Sequence, residues 1–263
     1  MNLYRDQFSE SHDFPRVDKP SKVLIIASTP RCGSHMLGHA LHATGCFGFP
    51  LEYTQPANFA EWRRRFAGCD DVLTEIQRRR TSPNGVFGIK IHYSHIAEYG
   101  GFTHVMQRFP DAYFVFLFRK EALKQAVSLS IAQQTGVWIS GQEPINPTAE
   151  YDFDRINKCM RRILLENAGW RYLLAAHGCR FIEVEYEDVR SDIGGTVMRI
   201  ASFMDVAVDA ERIPSEPVTK KQGLDINTLW AERFVKDFGE REEYLLNDRV
   251  RPLEVIKRAL KRA

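Results

Sequence analysis

Four short apolar runs set the rhythm of the chain. Residues 22–28, Lys-Val-Leu-Ile-Ile-Ala-Ser, hold an unbroken β-branched stretch suited to a strand buried on both faces. Residues 86–91, the strongly apolar 112–118 and residues 180–186 repeat the pattern. Between these runs the spacing becomes helical. A helix is predicted from Ser34 to a cap at Gly45, with Met36, Leu37, Ala40 and Leu41 on one face. The Arg-rich segment 56–80 predicts one or two helices, ended by the turn Ser82-Pro-Asn-Gly85. Residues 121–134, closed by Gly136, and residues 193–204 read as further helices. Residues 152–177, apolar at Ile156, Met160, Ile163, Leu164, Leu173 and Leu174, form a long amphipathic one. A loop with Pro144 and Pro147 covers 137–150, and a Pro-containing stretch, 214–228, precedes a charged helical tail. Strands alternating with helices predict an α/β fold, a parallel sheet flanked by helices. Ligands of such sheets bind beyond the C-terminal strand ends, where the turn after residue 28 lies.

Composition narrows the class. The 263 residues, 44% hydrophobic and 27% charged, suit a single domain over 22–263 behind a polar lead-in at 1–21. With 36 Lys and Arg against 34 Asp and Glu, the net charge of +2 excludes bulk polycationic binding, so no nucleic-acid partner is expected. Five cysteines without metal-type spacing read as reduced thiols of a cytoplasmic protein. The first twenty residues, polar and of mixed charge, resemble neither a signal nor a transit peptide. No apolar run approaches the roughly 20 residues of a membrane span.

The most informative stretch is the first strand-turn-helix, Ser28-Thr-Pro-Arg-Cys-Gly-Ser34. A helix N-terminus presents backbone N–H groups and partial positive charge to an anion, and Arg31 and Ser34 add side-chain donors. The nucleotide-triphosphate loop G-x-x-x-x-G-K-[ST] does not fit. With Gly33 on its second glycine, Ser28, Ser34 and His35 stand at its first glycine, lysine and hydroxyl positions. The third strand ends in Phe118-Arg119, where a metal-binding aspartate would be expected. Arginine in that place suits a donor held without a metal ion.

Residues 28–35 resemble the 5′-phosphosulfate loop of sulfotransferases that use 3′-phosphoadenylyl sulfate. Arg119, followed nine residues later by Ser128, resembles their 3′-phosphate site. More closely, the chain resembles the bacterial Stf0 group, whose described member sulfates trehalose. The resemblance continues through Ala43-Thr-Gly45 with Pro50 and Glu52, Pro83-Asn-Gly-Val86 with Gly88 and Lys90, Gln125-Ala-Val-Ser128, Val137-Trp138 and Gly169-Trp-Arg171. A weaker region surrounds Gln222, and the whole spans residues 22–235. It implies a P-loop-like sulfotransferase fold and 3′-phosphoadenylyl sulfate as donor, without a required metal. It also implies a homodimer, and a donor site built from Arg31, Cys32, Gly33, Ser34, His35, Arg119 and Ser128 with Lys220, Lys221 and Gln222 closing it.

Transfer to an alcohol needs a base, a function that typically contributes about 10²–10⁴-fold. Glu52, in Phe49-Pro-Leu-Glu-Tyr53, matches the glutamate that the Stf0 resemblance assigns as base. His92 is the rival: Lys90-Ile-His92 resembles the K-x-H segment of aryl and steroid sulfotransferases. Glu52 ranks first. Arg31 is expected to stabilise the leaving phosphate electrostatically. His35 departs from the family's usual hydroxyl. Cys32 replaces the common serine, and a helix N-terminus is expected to lower its pKa.

The acceptor is where the resemblance gives out. Phe49 stands where the Stf0 pattern has a sugar-binding glutamate, which argues against trehalose. Phe49, Tyr53 and Trp138 are expected to stack on another sugar, in a carbohydrate or glycolipid acceptor of lipopolysaccharide type. His35, His39 and His42 share one helix face and read as a solvated face, or one lying just behind the site, rather than metal-binding. The runs Arg63–Arg65 and Arg78–Arg80, interspersed with acidic residues, read as solvated helices. The basic end, with Lys257, Arg258, Lys261 and Arg262, could make peripheral contact with a membrane. A nucleotide kinase and a non-catalytic nucleotide-binding module are the alternatives.

Overall fold

In chain order the elements are α1 (Leu3–Asp6), a 3-10 turn (Glu10–His12), β1 (Lys22–Ser28), α2 (Ser34–Ala43), α3 (Pro56–Arg65), α4 (Val72–Arg80) and β2 (Val86–His92). A 3-10 segment (Tyr93–Tyr99), α5 (Phe102–Arg108), β3 (Tyr113–Phe118), α6 (Ala122–Thr135) and α7 (Phe153–Ala176) follow. The chain continues through β4 (Arg180–Glu185), α8 (Tyr186–Ser191), α9 (Ile193–Met204), a 3-10 turn (Ala210–Arg212) and α10 (Asp225–Gly239). The structure, a computed structural model, describes residues 3–139, 142–216 and 225–239. Lys220, Lys221, Gln222 and the basic tail lie outside them. Among the described residues no helix is long and apolar enough to cross a membrane.

The four predicted strands pair in parallel, in the order β2-β1-β3-β4. β1 is central and its alternate residues feed opposite cores, which is why it reads as a continuous apolar run. Val23, Ile25 and Ala27 pack with Phe87, Ile89, Phe114, Phe116 and Trp170 on one side. Leu24 and Ile26 pack with Leu37 and Leu41 of α2 and Val197 and Ile200 of α9 on the other. The register sets Ser28 opposite both His92 and Leu117, so β1, β2 and β3 finish at one level.

The lead-in, residues 3–17, is folded onto α3 and α4. Phe14 and Val17 donate backbone hydrogen bonds to the carbonyls of Arg79 and Arg78 (2.8 and 3.0 Å), and the ring of Phe8 meets Trp62 at 5.3 Å. Arg80, with no exposed surface, donates to the carbonyls of Gln7 and Ser9 (3.1 and 2.9 Å) and pairs with Asp13. Arg65 pairs with the same carboxylate and donates to the carbonyl of Phe8. The expectation of solvated arginine runs is corrected here: these two arginines share one carboxylate, Asp13, from the N-terminal lead-in.

Candidate active site

The helix after β1 starts at a glycine the fold requires. Gly33 has φ +84°, and a Cβ there would sit 2.3 Å from Cδ2 of the Tyr186 ring. A side chain would be strained and would clash. Arg31 also lies in the left-handed region, at φ +66°, a conformation costing an ordinary residue about 1–3 kcal/mol. Its side chain is tied down in compensation: Nε donates to Ser128 Oγ at 3.0 Å and Nη1 donates to the Trp138 carbonyl. Gln125, one turn before Ser128, donates to the Pro30 carbonyl (2.7 Å) and to Thr29 Oγ1 (3.0 Å). The motif Gln125-Ala-Val-Ser128 is therefore a brace for the loop, a role the sequence reading did not assign to Gln125.

Arg119 follows β3 and lies close enough to Arg31 to oppose its charge. Burial, and then Arg119, lowers the Arg31 pKa to about 10. The Arg119 guanidinium stacks on Tyr186 at 4.9 Å and donates from Nη2 to Glu121 at 3.2 Å, while its buried Nε faces Glu187 at 3.8 Å, beyond hydrogen-bond distance. Both ring nitrogens of His35 are buried and unpartnered as well, and burial holds that imidazole neutral, well below its ordinary pKa. These donors, with Gly33 and Ser34, line one cleft of about 770 Å³. Two adjacent arginines, one with an unmet donor, and a helix N-terminus suit a multiply charged anion.

Glu52 reaches the same cleft from the β2 side. The segment before it is wedged tightly against the sheet. A Cβ on Gly88 would fall 2.3 Å from the Phe47 carbonyl, so only glycine admits that approach. Leu51 then bridges Ile89 in parallel, with Lys90 N–H donating to the Leu51 carbonyl at 2.9 Å. This sets Glu52 Oε1 at 2.7 Å from Lys90 Nζ and 3.1 Å from His92 Nε2. His92 Nδ1 lies 2.9 Å from Ser28 Oγ, its register neighbour on β1. The two rivals for the base thus form one cluster. Nε2–H of His92 donates to the carboxylate, and Nδ1 shares a hydrogen bond with the Ser28 hydroxyl. Burial pushes Glu52 up, but the charges of His92 and Lys90 and their hydrogen bonds outweigh it and hold the carboxyl well below its ordinary range.

Several expectations are corrected. Phe49 and Tyr53 have no exposed surface and do not line the cleft. Phe49 is stacked on His42 (4.0 Å) and Tyr53 packs on Trp62, so neither ring is available to a sugar. Trp138, 44% exposed, does line it. Cys32 is buried, and burial raises its thiol pKa above the ordinary value; desolvation beats the helix N-terminus. The histidine face of α2 is not solvated: His39 is buried against Phe49 and His42 bonds to His12 and the Gly48 carbonyl. Among the described residues no cluster of three His, Cys, Asp or Glu could hold a metal ion.

Comparison with known proteins agrees with the architecture. Residues 23–237 match the family model described as Stf0 sulphotransferase. A trehalose 2-sulfotransferase of Mycobacterium tuberculosis is 26% identical over 254 residues, covering 80% of this chain and 93% of that enzyme. The trehalose 2-sulfotransferase of Mycolicibacterium smegmatis is 25% identical over 264 residues, covering 84% and 96%. The crystal structure of a sulfotransferase from Alicyclobacillus acidocaldarius superposes with a TM-score of 0.51 at 14% identity, covering 86% of this chain and 95% of that one. That last likeness is one of fold.

Proposed function

The chain belongs to the Stf0 sulphotransferase family and is a sulfotransferase, and from that premise we propose that it moves a sulfuryl group from 3′-phosphoadenylyl sulfate to a carbohydrate hydroxyl. One observation carries the reading: the Arg31–Arg119 anion site and the Glu52–Lys90–His92 cluster open into a single cleft at the C-terminal ends of parallel strands. The relatives' shared acceptor supports the carbohydrate class.

The residues fit such a donor. Arg31, Ser34, Gly33 and neutral His35 would hold its 5′-phosphosulfate, and Arg119 its 3′-phosphate. Ser128 orients Arg31 rather than standing opposite it. The donor supplies an activated sulfur whose leaving group is a phosphate. As the acceptor oxygen bonds to sulfur, the bond from sulfur to the bridging oxygen breaks and the hydroxyl proton passes to Glu52. Arg31 meets the charge gathering on the departing phosphate. His92 and Lys90 together make Glu52 a weak base. That is sufficient, because a hydroxyl becomes strongly acidic while its oxygen forms a bond to sulfur. His92, with one nitrogen spent on Glu52 and the other turned to buried Ser28, positions the carboxylate.

Calorimetric titration tests the donor assignment. Adenosine 3′,5′-bisphosphate should bind tightly without a metal ion, and Arg119→Ala should weaken it about tenfold or more. Preference for ATP–Mg²⁺, or indifference to Arg119→Ala, would overturn the reading.

A further inference from the structure

The folded lead-in does more than cover α3 and α4. Tyr4 and Gln7 line the same cleft as Glu52, Gln55, Asn58 and Ser94. The sheet order gives that cleft two halves. β3 carries Arg119 on one side of central β1, and β2 carries Lys90 and His92 on the other. Residues 3–17 pack on α3 and α4, and His12 meets His42 in the last turn of α2, at the opposite end of that helix from the anion loop. Asn58 Nδ2 donates to the Glu52 carbonyl at 2.9 Å, and Gln55, Asn58 and Ser94 add amides and a hydroxyl to the lining beside the candidate base.

Two cations that line the cleft on this side are each matched by a carboxylate. Lys90 is held by Glu52 and Arg162 by Glu166, each at 2.7 Å. The matched part of the family begins at residue 23, so Tyr4 and Gln7 lie ahead of it.

We propose that residues 4–17 form a wall of the acceptor site, with Tyr4 and Gln7 selecting a neutral polyhydroxylated acceptor. Tyr4 offers the aromatic surface and hydroxyl sought in Phe49 and Tyr53, and Gln7 offers an amide able both to donate and to accept. Gln7 is nearly buried and its own Nε2 is fixed on the Tyr4 carbonyl at 2.9 Å, so the two residues present one preset surface. Preorganisation of this kind limits the ordering cost of binding. The latch that sets it is the Arg65–Asp13–Arg80 network.

The proposal rests on sulfuryl transfer to a sugar, and its test separates the two. Transfer of radiolabelled sulfate is measured from 3′-phosphoadenylyl sulfate to neutral di- and trisaccharides, trehalose among them. The full chain and its Tyr4→Ala, Tyr4→Phe and Gln7→Ala variants are compared. Calorimetry with the bisphosphate and thermal unfolding run in parallel, and saturation-transfer NMR reads sugar binding without turnover. Tyr4→Ala and Gln7→Ala should each raise the acceptor KM about tenfold, with kcat and bisphosphate affinity within about twofold. Tyr4→Phe keeps the ring and the fold and isolates the hydroxyl. Unchanged acceptor KM in folded Tyr4→Ala and Gln7→Ala overturns the proposal. So does a wild-type chain that binds the bisphosphate but neither transfers to nor binds any neutral sugar. Failure to bind the bisphosphate refutes the donor reading instead, and the NMR comparison of the variants then decides the wall.

Discussion

Replacing Glu52 by Gln keeps the shape of the side chain and removes its charge, and two consequences follow from one contact. Lys90 is 3% exposed, and the Glu52 carboxylate is its partner at 2.7 Å. Breaking a buried pair from one side costs about 3–5 kcal/mol, because the remaining ion keeps its desolvation penalty. Glu52 is itself 22% exposed, so the lower end applies, about 3 kcal/mol. In a domain of this size that is a fall in Tm of roughly 6–12 °C. Turnover should fall about 10²–10⁴-fold through loss of the base, while bisphosphate affinity, set in the other half of the cleft, stays within about threefold. The double variant Glu52→Gln/Lys90→Met removes the stranded ammonium and should recover most of the stability but none of the activity. Radiolabel transfer, calorimetry and thermal unfolding on the three proteins read these terms separately. A Glu52→Gln enzyme keeping more than about a tenth of its turnover would refute the assignment of the base. A double variant no more stable than the single one would refute the pairing argument.

Gly33→Ala places a methyl group 2.3 Å from the Tyr186 ring on a left-handed backbone, so the bisphosphate Kd should rise about tenfold or more; an unchanged Kd in calorimetry would remove Gly33 from the donor site. The buried histidines bear on acid stability. Burial lowers His39, His42 and His95 to about 4 against the unfolded value of 6.5, so the unfolded chain binds more protons between those limits. Their contribution is complete above the unfolded value and is lost as pH falls below it, at about 1.4 kcal/mol per pH unit for each histidine. Denaturant unfolding at pH 7 and pH 5 checks this; equal stabilities at the two would contradict it.

Much of the donor half was legible from local chemistry. A β-branched run, a Pro-Arg-Cys-Gly turn and a new helix lie next to one another in sequence, so the anion loop could be read off directly. Arg119 at the end of the third apolar run followed from the same logic. The brace from Gln125 to Pro30 was not legible, because a buried glutamine in an otherwise apolar helix gives no sign of which backbone it serves. Residues 93–108, a 3-10 segment and a short helix, carry no legible pattern, since neither is long enough to display a period.

The acceptor half depended on contacts across the chain. Glu52 and His92 appeared as competitors, since nothing in their local sequences says that Leu51 bridges Ile89 and so brings the two side chains to 3.1 Å. Phe49 and Tyr53 read as ring platforms because an aromatic residue in a loop looks the same whether it faces a ligand or a core. Arg65 and Arg80 read as solvated because their counter-ion, Asp13, lies more than fifty positions away. Cys32 read as activated because the helix N-terminus is visible in sequence and the depth of burial is not. Short-range features, namely strand, turn, cap and the charge of the loop, are carried by neighbouring residues, and the amino-acid sequence alone determined them here. Pairing, desolvation and access depend on which distant groups share a small volume of low dielectric, and only the tertiary structure decided those.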